Sequence, residues 1–322
     1  MFHLIKRSCA RIIFVAMGIT LINFFLLHLA PGDAAQALAG QSGAATPEYM
    51  EALRRQLGLD QPLYTQFFLY AKNLLTLDLG FSFHHGLPVS TLIWQQLPAT
   101  LLLMVSAISF ALITGCLLGF VAALHTGKFA DPLISVLSLL LYATPAFWVG
   151  MMLILVFSVQ LDLLPIGGMI TVEEGAVGLA YIKDVSRHMI LPAITLGLYY
   201  LAVYTRLMRA EMLAVSGQDF VRTARAKGVR PWRIAWRHTF RNALLPVVTT
   251  LGVQLGSILG GAVLVETVFS WPGLGRLALT SLFQRDINLL LGILFCSSIV
   301  VVLTNIIIDF VYMRLDPRIR PE

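Results

Sequence analysis

Few residues in this chain are of types that could do chemistry, and their spacing limits what that chemistry is. Two adjacent histidines, His84 and His85, are weak grounds for a metal site, and no metal is assigned to them. Cys9, Cys116 and Cys296 lie in or beside apolar runs without metal-type spacing. A buried free cysteine behaves as a small hydrophobe. Glu266 and Asp309 sit near the ends of apolar runs. The sequence contains no GxxxxGK[ST] loop to cradle a nucleotide phosphate. What remains is charge. Between Arg206 and Arg241 stand nine Lys/Arg against two acids, Glu211 and Asp219. Such a segment suits nucleic acid, an anionic membrane surface, or a solvated face.

Composition decides among these. The 322 residues are 57% hydrophobic and 12% charged, with mean hydropathy +0.80, whereas soluble globular chains carry about 25% charged residues. A net charge of +6 fits nucleic acid, but long apolar runs do not, so that class is excluded. A helix crossing a hydrocarbon core of about 30 Å needs roughly 20 apolar residues. Six stretches qualify, at 12–29, 97–124, 133–161, 189–208, 244–267 and 288–312. An all-α membrane protein with six transmembrane helices is expected, its termini on one side. The first run, about 18 residues, exceeds the 7–15 of a typical signal h-region and is read as a retained helix. Pro145 and Pro192 fall within spans and are expected to kink them.

The distribution of Lys and Arg orients the spans. The N-terminus (Lys6, Arg7, Arg11), Lys128, the nine in 206–243, and Arg314, Arg318 and Arg320 share one side. Arg54, Arg55, Lys72, Lys183, Arg187, Arg276 and Arg285 lie on the other. Sixteen against seven places both termini and the basic loop in the cytoplasm.

Positive-inside bias accounts for some of the loop's charge but not for its order. Phe220, Val221 and Ala224 share a face of a short helix over 219–227, with Arg222 and Arg225 on another. Gly228 offers a left-handed stop, and Pro231 suits the first position of a second helix. There Trp232, Trp236 and Phe240 repeat every four residues beside Arg233, Arg237 and Arg241, a pattern suited to the membrane interface. The first helix, Asp219 to Gly228 (with Thr223, Ala226 and Lys227 completing it), is suited instead to fill a groove on a soluble partner.

At this point the chain resembles the permease subunits of bacterial ABC importers. A cytoplasmic loop before the penultimate span, with a short helix, a fixed glycine and a later Leu-Pro, looks like their EAA coupling loop. The wording DFVRTARAKG is similar to the dipeptide/oligopeptide/nickel branch, which also includes glutathione importers. LAPGDAA (29–35), RRQLGLDQPLYTQF (54–67) with DLGFSF (78–83), TPAFWVG (144–150), ETVFSWPGLGRL (266–277) and DPRIR (316–320) match it in order. The general motif's acid is replaced by Arg222, and Leu245-Pro246 lies later than the general spacing places it.

The resemblance implies a type I importer permease fold. Residues 1–30 hold a cytoplasmic tail and first span, 31–96 an external segment with short helices, and 97–322 a five-helix core with the coupling loop 206–243. It implies a second, related permease subunit, two cytoplasmic ATPase subunits that carry ATP and Mg, and an external substrate-binding protein. No cofactor is expected on this chain. The cargo implied is a di- or oligopeptide or peptide-like solute, with a nickel chelate or glutathione as alternatives.

Two other classes fare worse. Ion-coupled secondary transporters usually need ionisable groups or broken helices within the membrane, and the centres of these spans carry no charge. An intramembrane enzyme needs a Ser/His pair, a carboxylate pair or metal ligands at matching depth, and none is found. Gly252, Gly256 and Gly260 in the fifth span, and Gly115 and Gly119 in the second, permit close helix approach within the chain or against a second subunit. Glu266 has two readings: local capping or pairing with Arg276, or an external gate or substrate contact shared with Trp271, Pro272, Gly273 and Gly275. Asp309 is expected to pair with Arg314 or a neighbour.

Overall fold

In the computed structural model of the chain, residues 2–29, 46, 50–51, 54–55, 60–82, 84–171 and 177–315 are described; side chains at 2–13, 252–253, 255–259, 261 and 309–315 are not. Most of LAPGDAA, all of DPRIR, the Asp309 side chain and the packing of Gly252 and Gly256 therefore lie outside the described residues. The chain divides into two compact units, Met1–Gln95 with Ala278–Leu303, and Gln96–Leu277 with Thr304–Glu322.

Apolar content this high makes helix the cheapest way to satisfy backbone groups in lipid, and helices dominate both units. In the first unit, α1 (Phe2–Leu29) and α2 (Leu63–Leu75) meet at Phe24, whose ring lies edge-on to Phe67 at 5.3 Å. Buried Asn23 donates to the Leu291 carbonyl at 3.2 Å, so a polar side chain inside an apolar helix finds its partner on a neighbouring one. Against the expectation of helices alone, Phe81–Ser82 and Leu87–Pro88 pair antiparallel as β1 and β2. Gly86, at φ 63°, makes the turn that a helix cannot. The Asp286 carboxylate accepts from Ser82 Oγ at 2.5 Å and from the Leu289 amide at 3.1 Å, tying this hairpin to the start of the helix Ile287–Leu315. His85 Nδ1 lies 3.0 Å from the same Ser82 hydroxyl.

The second unit is built on α3 (Val89–Leu124, from residue 96 onward) and α6 (Leu179–Ser216). Ala107 and Ala111 are buried in the same core as Tyr204 and Met208 of α6, and Gly115 and Gly119 continue their four-residue spacing. A Cβ on Gly119 would come within 2.5 Å of the Thr205 carbonyl, and one on Gly115 within 2.9 Å of that of Leu201. These glycines therefore pack within the chain, with backbones in direct approach. Gly260 has nothing within 4 Å of where a Cβ would stand. At 38 residues, α6 is about 57 Å long, nearly twice the hydrocarbon thickness, so it continues out of the membrane and carries the segment beyond it. Near that end Arg209 holds Asp131 with two bonds, Nε at 2.5 Å and Nη2 at 2.8 Å.

The third apolar run departs from a single kinked span. Helix α4 (Ala130–Ala143) stops, Thr144 is extended (φ −83°, ψ 130°), and α5 (Ala146–Leu153) restarts after Pro145. The two axes are bent by 103° when α5 is taken through its wide-turn continuation to Gln160. Pro145 has no N–H to return to Leu141 and disfavours helical backbone at Thr144, which turns an expected kink into a break. Pro192, by contrast, is absorbed inside α6. Among the described residues, three helices are long and apolar enough to cross a membrane, Val89–Leu124, Leu179–Ser216 and Ile287–Ile308, and the bent pair makes a fourth when counted as one.

Candidate functional site

The basic segment begins where α6 ends. The Gly217 amide closes the last turn onto Ala214 and Val215, and Gln218 swings to extended backbone (φ −75°, ψ 153°). Helix α7 then runs Asp219–Ala226. Asp219 occupies its first turn and Arg225 its last, the arrangement its macrodipole favours. It ends in a Schellman motif: Gly228 N donates to Arg225 O at 2.9 Å and Val229 N to Ala224 O at 3.2 Å, with Gly228 at φ 72°.

This short helix is clamped on one side only. Val221 is 0% exposed and Ala224 7%, and both belong to the core formed with Met208, Met212 and Val215 of α6 and with Ile234 and Ala235 beyond the turn. Phe220 departs from the face predicted for it and is 41% exposed. Its neighbours Arg222, Thr223, Arg225, Ala226 and Lys227 are exposed as well. Arg222 reaches Asp219 at 3.6 Å, but both side chains are largely solvated, so this pair contributes little. The result is a rigidly mounted helix with an outward surface of one aromatic ring and several cations. A helix this short is marginal in isolation, so its order comes from the inward face.

Beyond it, Pro231–Arg233 opens α8, wide turns cover Ile234–Phe240, and α9 (Arg241–Val268) follows without a break. Trp236 stacks on Phe240 at 4.7 Å and on Trp232 at 6.4 Å. All three rings meet Phe120 edge-on, at 5.5–5.6 Å. The aromatic repeat therefore packs against α3 on one edge, while Trp232 and Trp236 stay substantially exposed.

The loop after α9 is organised the other way. Glu266 is 0% exposed. Its Oε1 accepts from the Thr100 hydroxyl at 2.7 Å and its Oε2 from the Arg276 amide at 2.9 Å. Thr100 in turn accepts from the Leu274 amide at 2.8 Å. The Arg276 guanidinium donates to the Ser270 carbonyl at 2.7 Å. Trp271 is fully buried and its indole N–H donates to Ala99 O at 2.9 Å. A Cβ on Gly273 would overlap the Glu266 carboxylate, and one on Gly275 would come within 2.7 Å of Val263 Cα. Pro272 completes a loop whose turn is shaped around one buried acid.

Comparison with known proteins decides what this arrangement belongs to. Residues 115–321 match the family described as binding-protein-dependent transport system inner membrane component, and residues 1–104 match its N-terminal region. The chain belongs to this family. It is an inner-membrane permease subunit of an ABC importer. It is 39% identical to the dipeptide transport system permease protein DppB of Escherichia coli (strain K12), over 99% of both chains. It is 38% identical to the glutathione transport system permease protein GsiC of Escherichia coli O6:H1, over 94% of each. The inward-facing methionine ABC transporter MetNI shares its fold, with TM-score 0.57 and 15% identity over 70% of this chain and 96% of that one. The type I importer permease fold is thereby established.

Proposed function

We propose that this chain forms half of the passage of a peptide importer and that α7 is the element through which cytoplasmic ATPases move it. The observation that carries this reading is the one-sided clamping of Asp219–Ala226: Val221 and Ala224 are fixed in the core while Phe220, Arg222 and Arg225 face outward. Force applied to such a helix passes into α6 and α9 without being lost in a hinge. The six apolar runs coincide with helices in both units, which supports six spans, and the Lys/Arg distribution supports cytoplasmic termini. The assembly takes a second homologous permease subunit, two ATPases holding ATP and Mg, and an external binding protein, with no catalytic residue on this chain. Relatives named for dipeptide and glutathione transport favour a di- or oligopeptide cargo, with glutathione as the second choice.

On the outer side, the loop 266–277 acts as a preshaped piece of the external gate. Glu266 holds the loop's form through the Thr100 hydroxyl and the Arg276 amide. The test is gentle-detergent purification from the native host with mass identification of co-purifying proteins. Two ATPases, a related permease and a peptide-binding protein are expected. A chain that purifies alone, and remains alone after crosslinking in intact membranes, contradicts the proposal.

A further inference from the structure

The break at Thr144–Pro145 lies beside an unusual group of side chains. Tyr142, next to the end of α4, stacks on Tyr199 of α6 with centroids 4.9 Å apart and planes 23° from parallel. Their hydroxyls are 3.4 Å apart, long for an O–H···O bond, so each retains capacity for a third partner. The Arg206 guanidinium carbon stands 6.0 Å from the Tyr142 ring centroid. The two tyrosines are 42% and 40% exposed, and Arg206 is exposed as well.

Depth makes this group informative. Tyr199 falls at the middle of the apolar run 189–208, and Arg206 lies seven residues further toward the cytoplasmic end, about 10 Å along the helix. Tyrosine favours the membrane–water interface over the bilayer centre. Broken backbone at membrane depth is tolerated only where it is buried in protein or lines a water-filled cavity. Lipid therefore does not fit this face. A guanidinium binds carboxylate in a planar fork, and two phenols with spare hydrogen-bonding capacity suit the polar edge of an amide.

We propose that Tyr142, Tyr199 and Arg206 line the passage as a contact column for a peptide-like solute, Arg206 taking its carboxylate and the tyrosine pair its amide. This rests on the peptide reading above, and the test separates the two. The full assembly, with the binding protein, is reconstituted in vesicles with Cys9, Cys116 and Cys296 replaced by alanine. Tyr199→Cys is then exposed to a charged, membrane-impermeant thiol reagent. Labelling that slows at least about threefold when a transported dipeptide is present is expected. Reaction with only a lipid-soluble maleimide, or with neither reagent, overturns the placement by assigning the face to lipid or to the second permease.

In the parent assembly, Arg206→Ala is expected to lower uptake of a free-acid dipeptide about tenfold. Uptake of the C-terminal amide of the same peptide changes less than about twofold, and Arg206→Lys restores part of the loss. Equal loss for both peptides overturns the carboxylate assignment. If the unaltered assembly takes up no peptide while the Tyr199→Cys assembly is labelled by the charged reagent, the peptide reading fails and these side chains remain in the passage.

Discussion

The segment 219–228, proposed to couple to the ATPases, and the loop 266–277, proposed to lie on the outer side, are both short and glycine-dependent, yet they direct their side chains oppositely. In the first, two small apolar residues face inward and everything larger or charged faces out. In the second, the acid and the tryptophan are both fully buried, and even the arginine side chain bonds back to its own loop. A surface left outward by a rigid mount is ready for another protein. A loop whose polar groups are consumed internally is ready to keep its shape while the helices that carry it move. On the proposed reading the two regions solve different problems, receiving force and preserving form.

Substitutions at the two regions should differ in what they cost. The largest effect is expected at the closed end. Glu266→Ala leaves the Thr100 hydroxyl and the Arg276 amide without their acceptor, at about 1–3 kcal/mol per buried group. A clear drop in the thermal melting temperature of the purified assembly checks it, and an unchanged melting temperature contradicts the internal tie. Gly273→Ala forces a methyl into the Glu266 carboxylate and should cost about 1–3 kcal/mol in the same assay.

At the open end the expected loss is of coupling and not of stability. Phe220→Ala should weaken ATPase association about tenfold or more, as an exposed aromatic anchor does, while the melting temperature stays within about 1 °C of the parent. A binding assay with purified ATPase measures the first and calorimetry the second. Gly228→Ala strains a φ of 72° and should cost about 1–2 kcal/mol, read as reduced coupling of ATP hydrolysis to uptake. Smallest is Arg222→Ala, which removes a solvated pair worth roughly 0–1 kcal/mol. Its stability is expected to be unchanged, and a large destabilisation would show that the pair matters more than its exposure allows.

Much of the local structure of 219–233 is readable from the sequence because its signals are local. The caps at Gly228 and Pro231, and the inward spacing of Val221 and Ala224, depend on residues within a few positions of one another. Phe220 was misplaced because apolar character alone does not distinguish a core residue from one reserved for a partner. Arg209 counts in the sequence as one more positive-inside charge, yet it is committed to Asp131, 78 residues away, a pairing that no local pattern carries. The role of Glu266 stayed open for the same reason, since its partner Thr100 lies 166 residues earlier in the chain. Hydropathy found the apolar runs but not the break at Thr144–Pro145, because a run of apolar residues reads alike whether the helix through it is whole or interrupted. The two-residue strands at 81–88 are too short to produce alternation.

The most direct test of the account is a photo-crosslinking amino acid placed at Phe220 of the full assembly in intact native membranes, with adducts identified by mass. The account predicts adducts to an ATPase subunit, and none to an ATPase when the same group replaces the buried Trp271. Adducts at Phe220 confined to lipid, or to another copy of this chain, would contradict the assignment of Asp219–Ala226 as the helix that receives force.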